Sequence, residues 1–248
     1  MKNLDFSEDF QNRLESQIEQ ALKQGAEPVA AFDADGTLWD TDIGENFFQY
    51  QITHKHFENY ESAWQTYKEK KSAHPPDAYI YLAQLNAGRP ITEVRAFSKA
   101  CVDSQQPVPI ITASRNLIQF LKSRDVEVFV VTASIKWAVE PAAALLGIDQ
   151  DHVLGVKTAV DQEGLVTTQQ DGPITWKEGK ATALLEKTNG RSPFLAAGNT
   201  LGDIGLLKAA THIPLALSAA SLDDDVYESE VELQQLAKPN NWASYRFS

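Results

Sequence analysis

Residues Val29–Asp40 read VAAFDADGTLWD, an apolar run that ends in two aspartates one residue apart and a Gly-Thr pair. Four apolar residues without alternation, Val29–Phe32, suit a strand buried on both faces of a parallel sheet. Carboxylates at the end of such a strand cost free energy unless something uses them. Parallel α/β sheets take their ligands outside the carboxyl ends of their strands, which is where Asp33 and Asp35 fall. Asp-Gly is also a common turn dipeptide, so the meaning of this stretch depends on the rest of the chain.

Further apolar runs lie at Val126–Val131 (VEVFVV) and Pro193–Ala197 (PFLAA), with a weaker one at Ile213–Leu217. Helix-like sequence follows the first two, at Trp137–Leu146 and Ile204–Ala210. Arg115–Lys122 reads as a helix that turns Leu117, Phe120 and Leu121 inward. Near the start, Phe6, Phe10, Leu14, Ile18 and Leu22 recur every four residues, one face of a helix that Gly25 can end. Alternating strands and helices predict a doubly wound, Rossmann-like α/β fold around a parallel sheet. Two segments break the rhythm. Thr41–Val108 is rich in aromatics and helical in pattern, which predicts a helical module (41–108) inserted after the first strand of a core made of 1–40 and 109–248. Val153–Thr168 carries two β-rich runs flanking Asp161–Gly164, the pattern of a β-hairpin.

Bulk properties narrow the function. The chain has 248 residues, 43% hydrophobic and 23% charged, and a formal net charge of −12. That charge offers no basic footprint for nucleic acid or for an anionic membrane. No apolar run approaches the roughly 18 residues of a membrane span. The polar opening MKNLDFSEDF lacks the apolar core of a signal peptide, and the one cysteine, Cys101, excludes an internal disulfide. A cytoplasmic protein is expected. The oligomeric state is not legible.

Other polar groups fall at the ends of the remaining strands. Thr132 and Ala133 lie in VVTAS, and Asn199 and Asp203 in GNTLGD, while Lys180 opens the helix in WKEGKATALLEK. Together they supply two carboxylates, a hydroxyl, a cation and further hard oxygens to one crevice. Phosphoryl transfer from a monoester needs that set. One carboxylate attacks phosphorus, a second shuttles the proton, and cations and donors hold the charged oxygens.

In order and spacing, DADGTLWD, VVTAS, Lys180 and GNTLGD resemble the four motifs of the haloacid dehalogenase superfamily, spread over Val29–Leu207. The resemblance implies that Asp33 is the nucleophile, forming a phospho-aspartate, and that Asp35 is the general acid and base. It implies that Gly36, Thr132, Ala133 and Lys180 bind the phosphoryl group. Mg²⁺ would be held by Asp33, Asp35 (through its backbone carbonyl), Asn199 and Asp203. An insertion between the first two motifs is a type 1 cap. A helical cap with a small hairpin resembles the phosphoserine phosphatase-like branch. The expected activity is therefore Mg²⁺-dependent hydrolysis of a small-molecule phosphomonoester. Phosphotransfer to another acceptor, or binding of a phosphometabolite with weak turnover, uses the same residues and stays open. Asp35 argues against a dehalogenase, which needs no proton donor there.

Departures from the pattern carry their own expectations. The fourth motif usually opens Gly-Asp, whereas this chain has Gly198-Asn199, so Asn199→Asp is expected to tighten Mg²⁺ binding. Lys177 lies three residues before Lys180 and competes for its role. No early cap arginine is present, since 41–108 holds only Arg89 and Arg95. The acidic and aromatic residues Trp39, Asp42, Glu45, Phe47 and Tyr50 suggest an entrance for a cationic leaving group. Asp42 and Glu45 also resemble phosphorylcholine phosphatases in spacing, which adds phosphocholine to phosphoserine as a candidate; the aromatics equally suit helix packing. His54, His56 and His74 are expected on the solvated surface. Ser134 is read as a helix cap or a substrate contact.

Overall fold

In the computed structural model, which describes residues 6–23, 25 and 27–247, all four residues of Val29–Phe32 are buried. This strand, β1, sits between two parallel neighbours. The elements in chain order are α1 (Glu8–Lys23), β1 (Val29–Phe32), α2 (Ile43–Thr53), α3 (Tyr60–Ala73), α4 (Pro75–Gln84), α5 (Ile91–Ser104), α6 (Thr112–Lys122) and β2 (Glu127–Ile135). They continue with α7 (Lys136–Ala144), β3 (Val153–Val156), β4 (Thr158–Val160), β5 (Val166–Gln170) and α8 (Glu178–Lys187). The chain ends with β6 (Leu195–Gly198), α9 (Ile204–Ala209), β7 (Ile213–Ser218), α10 (Tyr227–Ala237) and β8 (Ala243–Arg246).

Six strands form one parallel sheet in the order β3-β2-β1-β6-β7-β8. Alternate side chains feed two layers, as strand pleating requires. Ala30, Phe32, Val128 and Val130 join Leu14 and Ile18 of α1, Leu117 and Leu121 of α6 and Val139 of α7 in one cluster. Val29, Ala31, Phe129 and Val131 join Leu184 of α8, Leu206 and Leu207 of α9 and Leu233 of α10 in the other. The doubly wound α/β fold predicted above is the fold observed. Among the described residues, no helix is long and apolar enough to cross a membrane.

Several local expectations change. The hairpin expected around Asp161–Gly164 is observed as β4–β5, but the start of its first run, Val153–Val156, is instead the edge strand β3 of the parallel sheet. A short apolar run reads alike in either setting. On α1, Leu22 is exposed, while Phe6, Phe10, Leu14 and Ile18 pack against the sheet. His56 is buried, its ring stacked on Phe97 at 4.0 Å, contrary to the expected surface position.

Helices α2–α5 have their own aromatic cluster of Phe47, Phe48 and Tyr67 with Leu82 and Cys101, and this cluster meets Ile135, Ala138 and Val156 of the sheet side. The two chain crossings pair with each other: Asp40 N–H donates to Pro109 and Ile111 N–H donates to Leu38. On the far side, residues 88–91 hydrogen-bond to the hairpin through Gly88, Arg89 and Ile91. Arg95 of α5 makes a two-pronged ion pair with buried Glu140 of α7, at 2.8 and 3.0 Å, and Lys136 lies 3.4 Å from the same carboxylate. Removing one partner of a fully buried pair costs about 3–5 kcal/mol. Arg95 is partly exposed and Lys136 remains, so Arg95→Ala is expected to cost less, about 1–2 kcal/mol, read as a lower urea midpoint. An unchanged midpoint would mean that Lys136 alone satisfies Glu140.

Candidate functional site

The carboxyl ends of β1 and β6 and the register break within β2 bring Asp33, Asn199 and Thr132 to one cavity of about 890 Å³. Asp35, Gly36, Ala133, Lys180 and Asp203 line it from the sheet side, and Asp42 and Glu45 from α2 and its start. Gly36 turns with φ +77, a conformation that L side chains rarely adopt. Of the residues named from the sequence for the site and its entrance, Trp39, Phe47 and Tyr50 do not line the cavity; Trp39 lies beneath it. Its ring is wholly buried, and its indole N–H donates to Asp35 Oδ1 at 2.7 Å.

At the centre lies a buried ionic triad. The Lys180 ammonium donates to Asp33 Oδ1 and, at 2.6 Å, to Asp203 Oδ1. Lys180 is only 2% exposed although it sits on the first turn of α8. Gly179 lets that turn pass closely, since a Cβ there would lie 1.9 Å from the Ile174 carbonyl. Asp203 uses its other oxygen to accept the backbone N–H groups of Asn199 and Thr200, both at 3.0 Å, which orders the GNTLGD turn. The Thr37 hydroxyl donates to Asp33 Oδ2 at 3.1 Å.

Charge is unbalanced here. Burial and the negative charge of Asp203 push the Asp33 carboxyl up to about 7, although Lys180 opposes the shift. Burial alone would depress the Lys180 ammonium, but the charges of Asp203 and Asp33 hold it above the ordinary lysine range. Asp35 faces a different shell, accepting from Trp39, from Ile43 N–H at 2.8 Å and from the Ser134 hydroxyl at 2.7 Å. Burial raises Asp35, and the hydrogen bonds from Trp39, Ser134 and Ile43 offset part of the rise. Sequence reasoning missed Ser134 and Trp39 as partners of Asp35. The i, i+4 spacing of Asp35 and Trp39 was the one available signal.

Lys177 lies beside Trp176, with its ammonium 4.3 Å from the ring centroid, rather than on the aspartates. Its backbone takes φ +50. The expected entrance also changes. Phe47 is buried in the helical cluster and Tyr50 packs on His54 and Phe97, so the aromatics facing the cavity are Trp64, Tyr67, Tyr79 and Trp176. Glu45 accepts from Lys71 at 2.6 Å and Tyr67 at 2.7 Å, while Asp42 caps α2 through Glu45 N–H at 2.7 Å.

Among the described residues, no three His, Cys, Asp or Glu side chains are grouped to hold a metal ion. Lys180 stands between Asp33 and Asp203, and all of Asp35's contacts are with donors. Hard oxygen donors are nevertheless present in Asp33 and in the amide of Asn199. Three carboxylates around one ammonium leave a negative excess that a divalent cation would neutralise.

A family model described as haloacid dehalogenase-like hydrolase matches residues 30–208. No curated protein matches the sequence. Among solved structures, a protein of unknown function from Bordetella pertussis Tohama I is similar with TM-score 0.72 and 18% identity, over 88% of this chain and 97% of that one. A functionally unknown protein from Anaerococcus prevotii gives 0.67 and 15%, over 94% and 91%. A phosphoserine phosphohydrolase-like protein from Francisella tularensis gives 0.55 and 15%, over 83% and 92%. These likenesses are likenesses of fold.

The raised carboxyl of Asp33 has a consequence for stability. A carboxyl whose pKa is higher folded than unfolded destabilises the fold once ionised. The penalty is absent below the unfolded value near 3.8, grows as pH rises to about 7, and is constant above. In metal-free buffer, Asp33→Asn is expected to raise the melting temperature at about pH 8 by roughly 3 °C or more, with the gain vanishing near pH 4. No gain at the higher pH would show that Lys180 already neutralises Asp33.

Proposed function

The chain belongs to the haloacid dehalogenase-like hydrolases, and we propose that within this family it is a Mg²⁺-dependent phosphatase of small phosphomonoesters. One observation carries the reading: Asp33 and Asp35 open into a single cavity from opposite environments. Asp33 faces the Lys180–Asp203 ion cluster and Asp35 a shell of neutral donors. Two carboxyls in contrasting surroundings are the arrangement that separates a nucleophile from an acid–base group.

In this mechanism Asp33 attacks phosphorus. Its Oδ2 carries only the Thr37 hydroxyl and is the freer oxygen, because Oδ1 is held by Lys180. The P–O bond to the leaving alcohol breaks, and Asp35 gives that oxygen its proton. Asp35 then takes a proton from water as the water attacks the phospho-aspartate, which returns Asp33 and releases phosphate. Burial, which raises Asp35, favours its protonated form before the first step. Thr132, Ala133 and Gly36 surround the phosphoryl group, and Lys180 balances its charge. Asp33, the Asp35 carbonyl and Asn199, with Asp203 behind them, would hold Mg²⁺, which when bound screens the repulsion between nucleophile and substrate.

Helices of 41–108 form the cap over the crevice and select the leaving group. Glu45 presents a carboxylate there, paired with Lys71, and Lys68 and Lys177 present ammonium groups laid over Trp64 and Trp176. Groups of both signs favour a zwitterionic alcohol such as that of phosphoserine over phosphocholine, which has no use for the lysines. The likeness to the phosphoserine phosphohydrolase-like fold agrees with this choice.

Purified protein, incubated with phosphoserine, phosphocholine, phosphoethanolamine and sugar phosphates, is expected to release phosphate only with Mg²⁺ and fastest from phosphoserine. Asp33→Asn should lower release by roughly a thousandfold or more. Metal-independent release, or an active Asp33→Asn variant, would contradict the mechanism. A preference for phosphocholine would contradict the assignment of the cap lysines.

A further inference from the structure

Glu230 of α10 is wholly buried, 31 residues beyond Asn199, and its carboxylate faces only donors. Oε1 accepts from Asn199 Nδ2 at 3.1 Å. Oε2 accepts from the backbone N–H groups of Ala219 and Ala220, each at 3.1 Å, and the Arg246 guanidinium lies 3.9 Å from it. The other end of the Asn199 amide, Oδ1, faces the Thr37 hydroxyl at 3.4 Å, and that hydroxyl is closer to Asp33, at 3.1 Å. One hydroxyl has one proton to give. The shorter contact takes it, which leaves Asn199 Oδ1 a free lone pair on the Asp33 side. Gly36 closes the remaining side, where a Cβ would lie 2.0 Å from Asn199 Nδ2.

A carboxamide has two ends of similar shape and opposite hydrogen-bonding sense. An obligate acceptor on one side decides which end faces the other. We propose that Glu230 is a positioning residue for the catalytic cluster: it fixes the Asn199 amide with its oxygen towards Asp33, and it carries the negative charge that an aspartate at position 199 would have brought. This rests on reading Asn199 as an oxygen donor to Mg²⁺. The inference reverses the expectation that Asn199→Asp alone tightens the metal, because the new carboxylate would face Glu230 at about hydrogen-bond distance.

The isosteric exchange of the pair gives the test. In Glu230→Gln, the backbone N–H groups of Ala219 and Ala220 hold the new carbonyl, so the new NH₂ meets Asn199 and turns its oxygen away from Asp33. In Asn199→Asp/Glu230→Gln, that NH₂ meets a carboxylate, and an oxygen again faces the cluster. Mg²⁺ affinity is measured by calorimetry without substrate, and melting temperature in metal-free buffer, for the wild type, both single variants and the double variant. Glu230→Gln is expected to bind Mg²⁺ at least tenfold more weakly. Asn199→Asp is expected to melt roughly 5 °C lower or more. The double variant should recover both properties, binding Mg²⁺ at least as tightly as the wild type. Unchanged affinity in Glu230→Gln, or effects that simply add in the double variant, would overturn the proposal while leaving phosphate release by the wild type intact. A wild type that neither binds Mg²⁺ nor releases phosphate would overturn the reading beneath it.

Discussion

Everything at the site depends on one buried ammonium. Lys180 lies between Asp33 and Asp203, each nearly excluded from solvent, and an isolated charge in that position would cost several kcal/mol. The three are held by different elements: the end of β1, the first turn of α8 and the turn after β6. The parallel pairing of β1 with β6, continued by the hydrogen bond from Asp33 N–H to Ala197, sets two of them side by side. Removing the lysine would leave two buried carboxylates facing each other, so folding and chemistry rely on the same contact. Lys180 also leaves part of each carboxylate unused, since Asp33 Oδ2 takes only the Thr37 hydroxyl and Asp203 turns its second oxygen to the backbone of the GNTLGD turn.

Asp35 ties this core to the helices above it. Ile43 N–H, at the start of α2, donates to its carboxylate, so the first turn of the helical segment is anchored on Asp35 itself. Ser134 reaches the same carboxylate from β2, and only a glycine at position 44 leaves it room, since a Cβ there would lie 2.3 Å from the Ser134 oxygen. Trp39, wholly buried, completes the shell. The residues that would select the leaving group are thereby connected through short contacts to the group that would protonate it.

Much of this was legible in the sequence because it is local. VAAF, with no polar residue to break it, reads as a strand buried on both faces, and the polar residues at strand ends stand out against apolar runs. What escaped was set by distance or by ambiguity. Glu230 meets Asn199 only after β7 and α10 have folded back, and nothing in EVELQQ marks one glutamate as buried. Strand β8, four residues long and half-buried, carries little pattern of its own. The run at Val153–Val156 could pair with β2 or with the next strand, and only the assembled sheet decides. Trp39 reads as an entrance residue because an indole just after DADGT suits either role; in the fold its N–H meets a carboxylate four residues back.

Covalent phosphorylation of Asp33 is the step on which the proposed mechanism turns. The most direct measurement is mass spectrometry of enzyme mixed with excess phosphoserine and Mg²⁺ and quenched in acid within the first turnover. One added phosphoryl group is expected on the peptide that carries Asp33, absent from Asp33→Asn and lost on brief exposure to base. Free phosphate produced with no modified peptide at any quench time would contradict it, pointing to direct attack of water on the substrate.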